Sequence, residues 1–84
     1  MENKPDKSVT IIVNTLPKVW NEKKISYQEV IVLAFGTYID DPKIIYTVEY
    51  FKGEKEQHEG SLTKGESVNV KDGMIFNVSK TDNS

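Results

Sequence analysis

The apolar positions of the chain change period twice. Val9, Ile11 and Val13 fall on one side of an extended segment, and Thr10, Ile12 and Asn14 on the other. This alternation predicts a strand over 9–13. Thr15-Leu16-Pro17 reads as a turn, and residues 18–23, carrying Val19 and Trp20, read as a second strand, so the chain opens with a hairpin. The period then lengthens. Ser26-Tyr27-Gln28-Glu29 is a capping-box sequence, in which the Ser26 hydroxyl accepts from the N–H of Glu29 and the Glu29 carboxylate accepts from the N–H of Ser26. Ile25 before the cap and Val30 at the fourth helical position form a hydrophobic staple, and Gly36 suits the left-handed residue after a helix end. The pattern predicts a helix over 27–35 with Tyr27, Val30, Ile31 and Ala34 on one face. So short a helix is unstable alone and must dock on a second layer.

The second half returns to alternation. Residues 44–51 are dense in β-branched and aromatic side chains and read as a strand, following a loop turned by Asp40-Asp41-Pro42. Residues 52–60 are polar and read as a solvated hairpin loop. Ser61-Leu62 and residues 68–70 read as short extended pieces, separated by a turn at Lys64-Gly65. Lys71-Asp72-Gly73 is a strong turn signal. Residues 74–79 read as the last strand, with Met74, Phe76 and Val78 on one face. Residues 1–8 read as a flexible arm and 81–84 as a polar tail, leaving 9–80 as the folded unit. One amphipathic helix against a mixed sheet of four or five strands is an α+β, two-layer arrangement with a single core.

Composition narrows the function. The chain has 84 residues and no cysteine, which excludes a disulfide framework and a thiolate metal cage. With 11 basic and 13 acidic residues the formal charge is −2, and no basic stripe points to nucleic acid. The longest apolar run, residues 30–35, is far too short to span a bilayer. Residues 1–8 lack the apolar segment of a signal peptide, so the expected location is the cytoplasm, and the Asn77-Val78-Ser79 sequon is then silent.

Candidate chemistry is sparse. His58 is the only histidine, and within a polar loop it lacks the positioned acid and oxyanion hole that a nucleophilic triad with Ser61 would need. Asp40 and Asp41 precede Pro42 and read as turn residues rather than paired catalytic carboxylates. Gly60, Gly65 and Gly73 are too scattered to cradle phosphate. No catalytic residue, metal site or cofactor is expected.

With the elements placed, the chain resembles ubiquitin-like β-grasp proteins, and most of all the bacterial multiubiquitin-domain family. The matching stretches are Val9-Thr10-Ile11-Ile12-Val13-Asn14, Ile25-Ser26-Tyr27-Gln28-Glu29-Val30 with Leu33-Ala34-Phe35, Tyr46-Thr47-Val48-Glu49-Tyr50, Gly60-Ser61-Leu62, and Gly65-Glu66-Ser67-Val68. The most distinctive is Val70-Lys71-Asp72-Gly73-Met74-Ile75-Phe76-Asn77-Val78. The resemblance implies a β-grasp fold whose first and last strands lie side by side in the centre. It also implies a protein modifier, encoded near ubiquitin-activating-like and ubiquitin-conjugating-like enzymes and a processing peptidase. The modifier's C-terminal carboxylate is adenylated with ATP used by the activating enzyme, passed through an enzyme-bound ester, and attached to target proteins. This chain shows one copy of the domain and no internal repeat.

The tail departs from the Gly-Gly ending of ubiquitin and of sulfur carriers: it reads Lys80-Thr81-Asp82-Asn83-Ser84. Side chains on Asp82 and Asn83 demand a wider enzyme channel than glycines do, which makes sulfur carriage the least favoured role. The expected processing removes Ser84 and leaves Asn83 as the reactive terminus. The alternative to conjugation is a non-covalent interaction module on the same fold. Two surfaces are candidates for partner binding. If Ile11, Val13, Phe76 and Val78 face the core, Ile12 and Ile75 face outward on neighbouring strands, as a recognition surface or half covered by Trp20 or a loop. Val32 points away from the apolar helix face, either covered by residues 37–45, simply exposed, or docking a partner. Surface lysines such as Lys4, Lys23, Lys52 and Lys80 read as ordinary solubilising residues.

Overall fold

The computed structural model describes residues 8–82. Strand β1 (Val9–Val13) turns into β2 (Leu16–Trp20), followed by β3 (Lys24–Ser26), helix α1 (Tyr27–Phe35) and β4 (Ile44–Phe51). A single 3-10 turn (Lys55–Gln57) lies in the polar loop before β5 (Gly60–Leu62), β6 (Ser67–Asn69) and β7 (Ile75–Asp82). The main sheet has five strands in the order β2-β1-β7-β4-β5, and β3 and β6 form a separate two-stranded ribbon. The first and last strands are parallel neighbours, in register at Ile12↔Ile75 and Val13↔Phe76, while the other pairings are antiparallel. This is the expected β-grasp: one helix on one face of a mixed sheet.

The core forms between that helix and the inner sheet face. Ile11 and Val13 of β1, Val48 of β4 and Phe76 of β7 are essentially without exposure, as are Val30 and Ile31 of α1 and Met74. Tyr46, Tyr50 and Val78 complete the inner face, which is why every second residue of β4 and of early β7 is apolar. The helix ends as its sequence dictates. Ser26 accepts from the Glu29 N–H at 3.1 Å and donates its own N–H to Glu29 Oε1 at 2.9 Å. At the other end Gly36 takes φ 83°, in the left-handed region, and its N–H reaches the Val32 carbonyl. Both staple residues, Ile25 and Val30, are fully buried.

Three expectations are corrected. The first turn is Asn14-Thr15, not Thr15-Leu16-Pro17, and β2 begins at Leu16 rather than residue 18. Both turn residues have positive φ, 50° and 72°, the geometry of the two-residue hairpin turn whose twist matches the strands. Asparagine tolerates that region and threonine does not, so the sequence points the turn one residue too late. Residues 24–26 form a strand of their own, because β6 supplies a partner at Lys24↔Asn69, Ile25↔Val68 and Ser26↔Ser67. Finally, β7 runs past residue 80: Thr81 pairs with Ile45 and Asp82 with Ile44, so these two residues belong to the ladder rather than to a tail. Asn83, Ser84 and nearly all of the arm expected over 1–8 lie outside the described residues.

Candidate functional site

Side-chain alternation on a sheet with one covered face leaves the alternate residues of each strand on the other. Here the register aligns four apolar members of that set in one line across four strands. Pro17 of β2 lies opposite Ile12 of β1, Ile12 is level with Ile75 of β7, and Ile75 pairs with Phe51 of β4. Ile12, Ile75 and Phe51 are each half-buried and Pro17 is exposed. Val19, opposite Thr10 on the same face, is 65% exposed. On the side away from Val19 the next rows are polar: Glu49 pairs with Asn77, and Thr47 with Ser79. The result is an apolar bar bordered on that side by hydrogen-bonding groups, the composition of an interface centre and its rim.

The two candidate residues Ile12 and Ile75 are therefore brought together, side by side. Trp20 does not cover them. It lies opposite Val9, on the inner face, and its Nε1 donates to the Lys24 carbonyl at 2.9 Å. There it lines a groove with Ser26, Gln28, Glu29, Val32 and Leu33. Val32 is 41% exposed in that groove, so it stands apart from the Ile12–Ile75 pair, on the helix side. Residues 37–45 leave it open, since they pack elsewhere. Tyr38 stacks against Tyr46 with ring centroids 5.4 Å apart and edges onto Tyr27 at 6.1 Å, and the Ile39 N–H donates to the Tyr46 hydroxyl. Asp82, exposed at the end of β7, pairs with Ile44.

The reading from sequence missed Pro17 and Phe51. Pro17 is a strong turn signal, which masks its pairing with Ile12. Phe51 carried a signal: with Tyr46, Val48 and Tyr50 inward, parity turns the strand's last residue outward. Pro17 also suits its place, since an edge strand spares a proline's missing N–H.

The remaining polar groups serve local structure. Asp41 accepts from the Lys43 N–H at 2.8 Å and closes its own turn. Asp40 pairs with Lys64 at 2.8 Å, both well exposed, and that hydrogen bond raises the Lys64 pKa. The His58 carbonyl accepts from the Gly53 N–H and closes the polar loop. Burial, then the neighbouring Tyr38, raises the Tyr27 phenol above its ordinary value. Among the described residues no three His, Cys, Asp or Glu side chains group to hold a metal ion, and no helix is long and apolar enough to cross a membrane.

A protein-family model described as multiubiquitin matches residues 9–82. Comparison with curated proteins and with solved structures gave no match.

Proposed function

The chain belongs to the multiubiquitin family, and from that premise we propose that it is a ubiquitin-like protein modifier. It catalyses nothing itself. Partner enzymes related to ubiquitin-activating and ubiquitin-conjugating enzymes recognise it in the cytoplasm, and the activating enzyme spends ATP to adenylate its C-terminal carboxylate. The acyl group then passes through an enzyme-bound ester to a target protein. A processing peptidase acts first at the segment Asp82-Asn83-Ser84, with Asn83 the reactive residue once Ser84 is removed.

The single observation that carries this reading is the apolar bar Pro17–Ile12–Ile75–Phe51 on a β-grasp of this family. A fold alone fixes no function. An aligned apolar bar with a polar rim fits a molecule that is read by others. Ile12 and Ile75 form its centre. Val32, in the groove with Trp20, offers a second and separate surface for the same set of partners.

The test is reconstitution in extract of the native host. ATP-dependent covalent adducts of the chain, lost when Ile12 and Ile75 are both replaced by glutamate, support the modifier reading. Taken without the family match, the bar also fits a non-covalent interaction module. That reading predicts partner capture that is sensitive to the same pair but needs no ATP and leaves no covalent adduct.

A further inference from the structure

We propose that the flank of β7 beyond Val78 is a strand-addition site, which takes an extended segment of a partner protein with a carboxylate side chain opposite Lys80. The site stands on the main chain and depends neither on conjugation nor on the apolar bar of the outer face.

The two central strands are of unequal reach. β1 ends at Val13, level with Phe76, and the chain turns away at Asn14-Thr15, while β7 continues to Asp82. On the flank that faces β1, the Phe76 carbonyl accepts from the Asn14 N–H at 3.0 Å. One step further, no strand remains, and the Asn14 side chain takes its place. Its Oδ1 accepts from the Val78 N–H at 2.8 Å and its Nδ2 donates to the Val78 carbonyl at 3.0 Å. Alternate residues of a strand direct their main-chain groups to the same flank. The N–H and C=O of Lys80 therefore point the way those of Val78 do. The opposite flank is filled by β4, with Lys80 level with Tyr46. Lys80 is exposed, and among the described residues no strand lies beside it on the open side.

The occupant follows from what already sits at the neighbouring step. Asn14 presents a planar amide that donates and accepts at once, which is the chemistry of a peptide group. The next step, about 6.6 Å along the strand, offers the same donor and acceptor with no amide among the described residues to meet them. A peptide backbone in extended form completes the series. Charge selects its side chains. The Lys80 ammonium lies over the Phe35 ring, 5.9 Å from its centroid, and a carboxylate directly across the new pair would face it. The same charge argues against a second copy of this chain, because antiparallel pairing about Lys80 sets two lysines opposite each other.

The test selects linear peptides from a display library on the full chain and titrates them into isotope-labelled protein. Selected peptides are expected to carry Asp or Glu at the position that pairs with Lys80. They are expected to shift the Asn14 side-chain amide and the main-chain amides of residues 78–82, and to slow exchange of the Lys80 amide, which should be fast in the free protein. Lys80→Pro removes that one donor without touching a bond to β4, and should weaken the peptide about tenfold or more, against about threefold for Lys80→Gln. A Lys80 amide that is already slow to exchange without peptide overturns the proposal. So do selected peptides whose shifts fall on Ile12 and Ile75 or on Trp20 and Val32, and so does failure to select any. If Lys80→Pro does not fold, exchange at Lys80 in the unaltered protein, with and without peptide, decides alone.

Discussion

Asn14 holds Val78 at both ends of its side-chain amide, 2.8 Å from the Val78 N–H and 3.0 Å from its carbonyl, across 64 residues of sequence. One residue thereby does two things: it adopts the left-handed turn conformation, φ 50°, and extends the β1–β7 ladder past the point where β1 has left the sheet. Asn14→Ala loses both functions and should cost about 2–3 kcal/mol. Asn14→Gly keeps the turn and loses only the amide, so about half of that cost is expected. Urea denaturation of the two variants separates the contributions.

Thr15 follows in the same turn at φ 72°, where a β-branched side chain is strained. Thr15→Gly gives the turn its preferred Asn-Gly pair and should stabilise the protein by about 1 kcal/mol. A rise in the urea midpoint with an unchanged slope is the expected result.

The helix start offers a calibrated test of the docking argument. Ser26→Ala removes the side chain that accepts from the Glu29 N–H and should cost about 1 kcal/mol. Phe76→Ala empties a fully buried position in the centre of the core and should cost about 3–5 kcal/mol. The ranking, measured by thermal or urea unfolding, reflects that tertiary burial rather than capping carries most of the stability.

Alkali should weaken the fold through Tyr27. Tyr27 packs in the core and its phenol pKa is raised, so the folded state holds that proton more tightly than the unfolded chain. The associated stability is fully present below the ordinary phenol value of about 10 and is lost as pH rises through the folded value. Tyr27→Phe should flatten that part of the stability–pH curve above about pH 10, as followed by urea midpoints across the range.

How much of this was legible beforehand depends on what each feature needs. The helix, its capping box, its Gly36 end and the inward faces of β1 and β7 rest on local spacing, and all are found where the spacing puts them. The first turn was placed one residue late because Pro17 is a strong turn signal while Asn14-Thr15 is a poor one. Proline there is tolerated by an edge strand, and edges are not visible in sequence. β3 exists because β6 pairs with it, and three residues carry no period of their own. The apolar bar was half legible: parity gives Ile12 and Ile75, but their alignment with Pro17 and Phe51 is a property of register. The amide of Asn14 on Val78 has no sequence signal, since only the fold brings those residues together.

The bar itself predicts a separation of function from stability. Ile12 and Ile75 are only half-buried on the outer face, so the double change to glutamate, which also sets two carboxylates side by side, should cost about 1–2 kcal/mol and leave the protein folded. Capture by partner enzymes should fall about a hundredfold or more, the effect expected for the centre of an interface. Val32→Glu, on the helix side, should weaken only partners that use the groove with Trp20, and its effect should add to that of the pair.

The most direct test of the modifier reading is the intact mass of this protein isolated from its native host with the neighbouring genes present, followed by mapping of any heavier species. Conjugation of this chain predicts covalent adducts joined through the segment after Asp82, at Asn83. A population that is wholly unadducted under every growth condition would contradict it.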